Sequence, residues 1–199
     1  MKFMLSATSK ASVIALLKLF CVFFTVALLG AQENVEPVKS AIKKIDANIV
    51  FMRHAIAPGF GDPIDFKIGD CSTQRNLDQA GQLQAQRIGE YMLTNGLEFD
   101  EVLSSEWCRC GETARLLDLG EWQAFSGLNS FFQSHADKQE TLTKLESYLG
   151  DNNHGLSLLV THQVVIGAIT GHSVESGGLV VYNSTTGQAL PVRVDYIGK

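Results

Sequence analysis

Ile49-Val50-Phe51-Met52-Arg53-His54-Ala55 is the stretch on which the reading of this chain turns. Four apolar residues run straight into an arginine and a histidine, with Pro58-Gly59 shortly after. A continuous apolar run bounded by turn residues predicts a strand buried on both faces, as in the parallel sheet of an α/β protein. Arg53 and His54 then project beyond the carboxyl end of that strand, which is where open α/β sheets place their ligands.

The rest of the chain alternates in the same style. A strand over 47–52 is followed by a long Gly-, Pro- and Asp-rich segment, Ala55 to Asn76, and a loop of that length inside a domain is usually functional. Asp78 is placed to cap a helix with Ala80, Leu83, Ile88 and Tyr91 or Met92 inward and Gly96 as its stop. Phe99 to Leu103 reads as a second strand delivering Ser104-Ser105. A helix with Cys110, Thr113, Ala114 and Leu117 at helical spacing follows, with Arg109 in its first turn or just before it. Asp137 and Glu140 have the spacing of a capping box that opens a helix through Leu142, Leu145 and Leu149. Leu156 to Val160 is a third apolar strand ending in Thr161-His162. A short helix with Val164, Val165, Ala168 and Ile169 inward runs from there to Gly171. From Gly178 two strands joined by a turn at 184–187 complete the pattern. Residues 121–134 have no clean period, and Trp122, Phe125, Phe131 and Phe132 read as core packing. Alternating strands and helices predict a three-layer α/β/α sandwich with a mostly parallel central sheet.

The amino-terminal residues belong to a different class. Residues 1–31 carry Lys2, Lys10 and Lys18, no acid, and the apolar run Leu19 to Leu29 before Gly30-Ala31. These are the charged, apolar and small-residue regions of a secretory signal peptide, with an uncleaved anchor as the alternative. Residues 32–46 read as a linker, and 47–199 as the domain. Losing three lysines and no acid takes the net charge from −5 to −8. An acidic chain without a basic run is a poor nucleic-acid binder, so any anionic ligand needs a local cationic pocket. Membrane contact is expected only if the first segment stays uncleaved. Export, to a periplasm or the medium, permits one disulfide among Cys71, Cys108 and Cys110, pairing Cys71 with either of the others.

The chemistry follows from the strand ends. If the strands are parallel and adjacent, Arg53, His54, Ser104-Ser105, Arg109 and His162 converge on one rim. A neutral imidazole is a good nucleophile toward phosphorus, and phosphoryl transfer asks the protein mainly for positioning and charge neutralisation. Two guanidinium groups supply this bidentately without a metal or another cofactor. A zinc site from His54, His162 and a carboxylate is disfavoured by the paired arginines. A serine nucleophile at Ser104-Ser105 lacks a Gly-x-Ser-x-Gly turn, and Cys71-Ser-Thr-Gln-Arg75 is too short for a cysteine-phosphatase loop.

These residues also resemble a family. Arg53-His54-Ala55 is similar to the Arg-His-Gly signature of the histidine phosphatase superfamily, the phosphoglycerate mutase-like group. The resemblance continues through Leu77, Gly81, Gln84 and Ala85, the Ser104-Ser105…Arg109…Thr113-Ala114 segment, and Leu158-Leu159-Val160-Thr161-His162. It covers roughly 47–183, with the four blocks in order. It implies that His54 becomes a phosphohistidine, that Arg53 and Arg109 clamp the phosphoryl oxygens, and that His162 contacts the same group. Ala55 departs from the family glycine, and a methyl group there requires a negative φ. The proton donor for the leaving group is not marked by a motif; Glu121 is the candidate, with Asp62 and Asp65 behind it. The expectation is an exported phosphomonoesterase acting on a small phosphorylated substrate, with cell-envelope sugar phosphates as the candidate class. A non-catalytic phosphate-binding module and a phosphohistidine protein phosphatase are the alternatives.

Overall fold

A computed structural model describes residues 37–151 and 155–194. The proposed signal segment and the start of the linker lie outside the described residues. The order of elements is α1 (Val38–Ile45), β1 (Ile49–Arg53), α2 (Gln79–Thr94), β2 (Glu101–Ser104), α3 (Cys108–Leu117), β3 (Trp122–Ala124), α4 (Lys138–Gly150), β4 (Ser157–Thr161), α5 (Gln163–Thr170), β5 (Leu179–Tyr182) and β6 (Ala189–Val192). The six strands form one sheet in the order β3-β2-β4-β1-β5-β6. β1, β2, β3 and β4 run parallel, while β5 pairs antiparallel with β1 and with β6.

The period of two along β1 divides the core. Val50 and Met52 face a layer built from α1, α2 and α3, through Val38, Ala41, Ile88, Met92, Cys110, Ala114 and Leu117. Ile49 and Phe51 face the opposite layer, where Leu145 and Leu149 of α4 and Val165 and Ile166 of α5 pack. The result is the expected α/β/α sandwich, and both central strands are buried on both faces. The anticipated caps form: Asp78 accepts from the Gly81 N–H at 2.9 Å and Asp137 from the Glu140 N–H at 2.7 Å.

Four expectations need correction. Residues 38–45 of the supposed linker are helix α1, whose Val38 and Ala41 are buried in the core. The unassigned segment contributes edge strand β3 and short 3-10 turns at Ser126–Leu128 and Phe132–Ser134. Phe132 is partly exposed and meets exposed Phe60 edge to face at 5.3 Å, so it is not a core residue. Ala80, Leu83 and Ala168 also point outward; Val165 and Ile166 supply the buried face of α5 instead.

Candidate active site

Register carries the two histidines together. β1 pairs with β4 from Ile49↔Ser157 to Arg53↔Thr161. His54 and His162 therefore leave adjacent parallel strands at the same level, and the His54 N–H extends the ladder to the Thr161 carbonyl at 3.0 Å. Their rings lie 5.4 Å apart, centroid to centroid, edge to face. β2 is the other neighbour of β4, so Ser105 and the amino end of α3, with Arg109, arrive on the same rim. His54, His162 and Arg109 are all buried.

Each family-like block has a physical task at this rim. Thr113 accepts from the Ala55 N–H at 3.1 Å and donates to the Arg109 carbonyl at 2.6 Å, which ties the end of β1 to the first turn of α3. Gly81 lets α2 approach the chain beyond His54, because a Cβ there would sit 1.9 Å from the Ile56 carbonyl oxygen. Gln84 accepts from the Ile56 N–H at 2.8 Å and donates to the Ser176 carbonyl at 2.9 Å. Ala55 is not among the residues with positive φ, so its methyl group fits the backbone it occupies.

The hydrogen bonds define the tautomers. His54 Nδ1 lies 2.7 Å from the Ala55 carbonyl oxygen, to which it can only donate. Nε2 therefore carries the lone pair, and it accepts from Arg109 Nε–H at 3.2 Å. Burial and then the charge of Arg109 drive the His54 pKa down to about 3, so the imidazole is neutral at ordinary pH. Ser105 Oγ spends its single proton on Asn129 Oδ1 at 3.1 Å. His162 Nε2, 3.0 Å from the same oxygen, must then be the donor. Burial, followed by the positive charge of Arg109, holds His162 neutral as well.

Arg53 is only partly buried; it donates through Nη1 to the Val174 carbonyl at 3.0 Å and has its buried Nε without a partner. Arg75 is a third guanidinium whose charge reaches both histidines. It is held by the Gly61 and Ala57 carbonyls. Burial and the neighbouring Arg109 lower the pKa of both Arg53 and Arg75.

The carboxylates sort differently from expectation. Glu121 precedes Trp122, which pairs with Val102 near the amino end of β2, whereas the histidines sit at the carboxyl ends. It is exposed at the opposite edge of the sheet and does not join the site. Asp65 is exposed too. Asp62 does enter: its Oδ1 accepts from Arg109 Nη1 at 2.7 Å and its Oδ2 from Arg109 Nη2 at 3.0 Å. It also accepts from the Trp107 indole N–H at 3.1 Å and the Arg75 backbone N–H at 3.1 Å. Burial alone would raise this carboxyl, but Arg109, the Arg75 amide and the indole hold it below the ordinary carboxylate range. It is an anion, unsuited to giving up a proton.

Cys71 pairs with Cys108, next to Arg109, and Cys110 is a buried free thiol. Burial pushes that thiol up to about 12, so it is no nucleophile. Sequence reasoning did not assign a role to Arg75 or to Asn129. Both lie in segments without periodicity, and their partners are 14 and 24 residues away.

No protein-family model and no curated protein sequence matches the chain. Solved structures do. An assigned α-ribazole-5′-P phosphatase from Escherichia coli str. K-12 substr. MG1655 is 20% identical with a TM-score of 0.55, the match covering 76% of this chain and 98% of that one. A phosphoserine phosphatase from Entamoeba histolytica, solved with 3-phosphoglyceric acid, is 14% identical with a TM-score of 0.54, covering 75% and 98%. An assigned phosphohistidine phosphatase SixA from Agrobacterium tumefaciens is 18% identical with a TM-score of 0.50, covering 73% and 95%. At these identities the likeness shows the fold alone, the α/β fold that these phosphatase structures share.

Proposed function

We propose that this chain is an exported phosphatase that hydrolyses small phosphate monoesters through a phosphohistidine on His54. The observation that carries the reading is the lone pair of His54 Nε2, fixed by the Nδ1–H bond to the Ala55 carbonyl and facing Arg109 Nε–H. Charge supports it. Among the described residues, Arg53, Arg75 and Arg109 stand against the carboxylate of Asp62 where the histidines sit, and both histidines are neutral. The surplus of two positive charges matches a phosphate monoester dianion.

In the first step His54 Nε2 attacks phosphorus, the N–P bond forms and the ester P–O bond breaks. The leaving oxygen takes its proton from water. Arg109 Nε–H and the remaining Nη2–H neutralise equatorial oxygens, with Arg53 and Arg75 adding charge around them. A phosphoryl oxygen between the rings competes with Ser105 Oγ for the His162 Nε2 proton. In the second step water attacks phosphorus, the N–P bond breaks, and inorganic phosphate leaves with neutral His54 restored. The phosphate-binding module was motivated by Ala55 and by the missing proton donor; alanine fits its backbone, and a leaving oxygen that takes its proton from water needs no dedicated acid.

Export is supported by the disulfide between Cys71 and Cys108, a bond characteristic of oxidising compartments. Cell-envelope sugar phosphates are the substrates to test first. Hydrolysis of 4-nitrophenyl phosphate by the wild-type protein, reduced at least about a thousandfold in His54→Ala, is the expected result. Equal turnover by the two proteins defeats the proposal.

A further inference from the structure

The carboxylate of Asp62 spans the outer fork of Arg109, one oxygen on Nη1 and the other on Nη2, while Nε–H of the same guanidinium points at the lone pair of His54 Nε2. Guanidinium is planar and rigid, so seizing one edge sets the direction of the other. The remaining Nη1 proton is also taken, by the Arg75 carbonyl at 3.3 Å. The edge left to meet a ligand is the one made by Nε–H and the inner Nη2–H; it faces His54, and its Nε–H, held by His54 Nε2 here, passes to a phosphoryl oxygen as the lone pair turns to phosphorus. The pair is nearly sealed from solvent, the side chains being 3% and 4% exposed.

We propose that Asp62 is a positioning residue, which aims the inner edge of Arg109 at the phosphorus attacked by His54. The inference rests on the phosphoryl-transfer reading of the site. Asp62 is placed for this task by its own surroundings. Its backbone N–H donates to Gln133 Oε1 at 2.8 Å, its carboxylate takes the Trp107 indole and the Arg75 N–H, and Trp107 is fully buried against His162 and Phe66. Nothing in this arrangement asks Asp62 to touch the substrate. Its negative charge in fact opposes an incoming phosphate, so its value lies in orientation rather than attraction. Bidentate contact with the transition state gains from an edge already aligned, because no rotation of the guanidinium accompanies the reaction.

The opposing charge makes the test directional. Asp62→Asn keeps the shape and one oxygen, which can serve the indole (on Oδ2) or the Arg75 amide (on Oδ1) but not both, and it removes the charge and the two-oxygen grip. Steady-state kinetics are measured with 4-nitrophenyl phosphate, a good leaving group, and phenyl phosphate, a poor one, with thermal melts on each variant. The expected result is a fall in kcat of about 10- to 100-fold, the same on both esters, with KM unchanged or lower. In an Arg109→Ala background the same substitution adds no further loss. Unchanged kcat overturns the inference. A loss confined to phenyl phosphate also overturns it and makes Asp62 a proton donor. A raised KM that persists in the Arg109→Ala background overturns it in favour of simple loop collapse. A wild-type protein that turns over neither ester defeats the phosphatase reading itself, and the inference with it.

Discussion

The site has two halves that are held by different physics. His54 and His162 stand at the ends of adjacent parallel strands, where ladder hydrogen bonds and a core on both faces leave them no freedom. Asp62 and Arg75 belong to the irregular stretch between β1 and α2, which has turns, a 3-10 turn at Cys71–Thr73 and one disulfide in place of a ladder. His54, the proposed nucleophile, is thus fixed by secondary structure, and the groups around Arg109 by a web of side-chain contacts.

The comparison breaks most visibly at the disulfide. Cys71 and Cys108 are 37 residues apart, and closing a loop of that size stabilises the fold by about 4 kcal/mol in the chain-entropy account. Replacing both by serine is expected to lower the unfolding free energy by roughly 2–4 kcal/mol. Limited proteolysis should then cut within 57–76 before the strands are touched. Cutting that begins in the strands, or no change in urea midpoint, would show that the irregular stretch does not depend on the bridge.

A smaller effect separates the halves by pH. The histidines are held neutral in the folded protein, so below the ordinary histidine pKa of 6.5 the unfolded chain binds protons that the folded chain refuses. Stability is full above that pH and falls as the medium is acidified toward 3, by on the order of 1 kcal/mol per pH unit for each buried histidine. Asp62, held below its usual range, adds its own loss only below the ordinary carboxylate pKa of 3.8. Urea unfolding at pH 7, 6, 5 and 4 is expected to show a steady decline beginning near 6.5. A flat profile to pH 4 would mean that the strand-end histidines are not neutral and buried.

The same division explains what could be read from the sequence. The apolar runs before Arg53 and before His162 announce buried strands, and the structure places them within two residues of where the runs suggest. Parallel neighbours then bring the two histidines and Arg109 to one rim, as anticipated. Helix α1 was hidden by Pro37 and its lysines, although Val38, Ala41, Ile42 and Ile45 have the i, i+3, i+4, i+7 spacing of an amphipathic helix. Strand β3 is three residues long at an edge, too short for any period to register. Glu121 was chosen by its position between Arg109 and His162 in the chain, which carries no information about which end of the sheet it occupies. Asp62 pairs with Arg109 across 47 residues and a loop without periodicity, so only the folded chain shows the contact.

The central claim is that His54 is the nucleophile, and the direct measurement is trapping of the phosphorylated protein. Full-length protein is mixed with 4-nitrophenyl phosphate at neutral pH, quenched in alkali, and the modified residue located by mass spectrometry. The account expects acid-labile phosphate on His54, absent from His54→Ala. Phosphate found on His162, on Ser105 or on no residue during active turnover would contradict it.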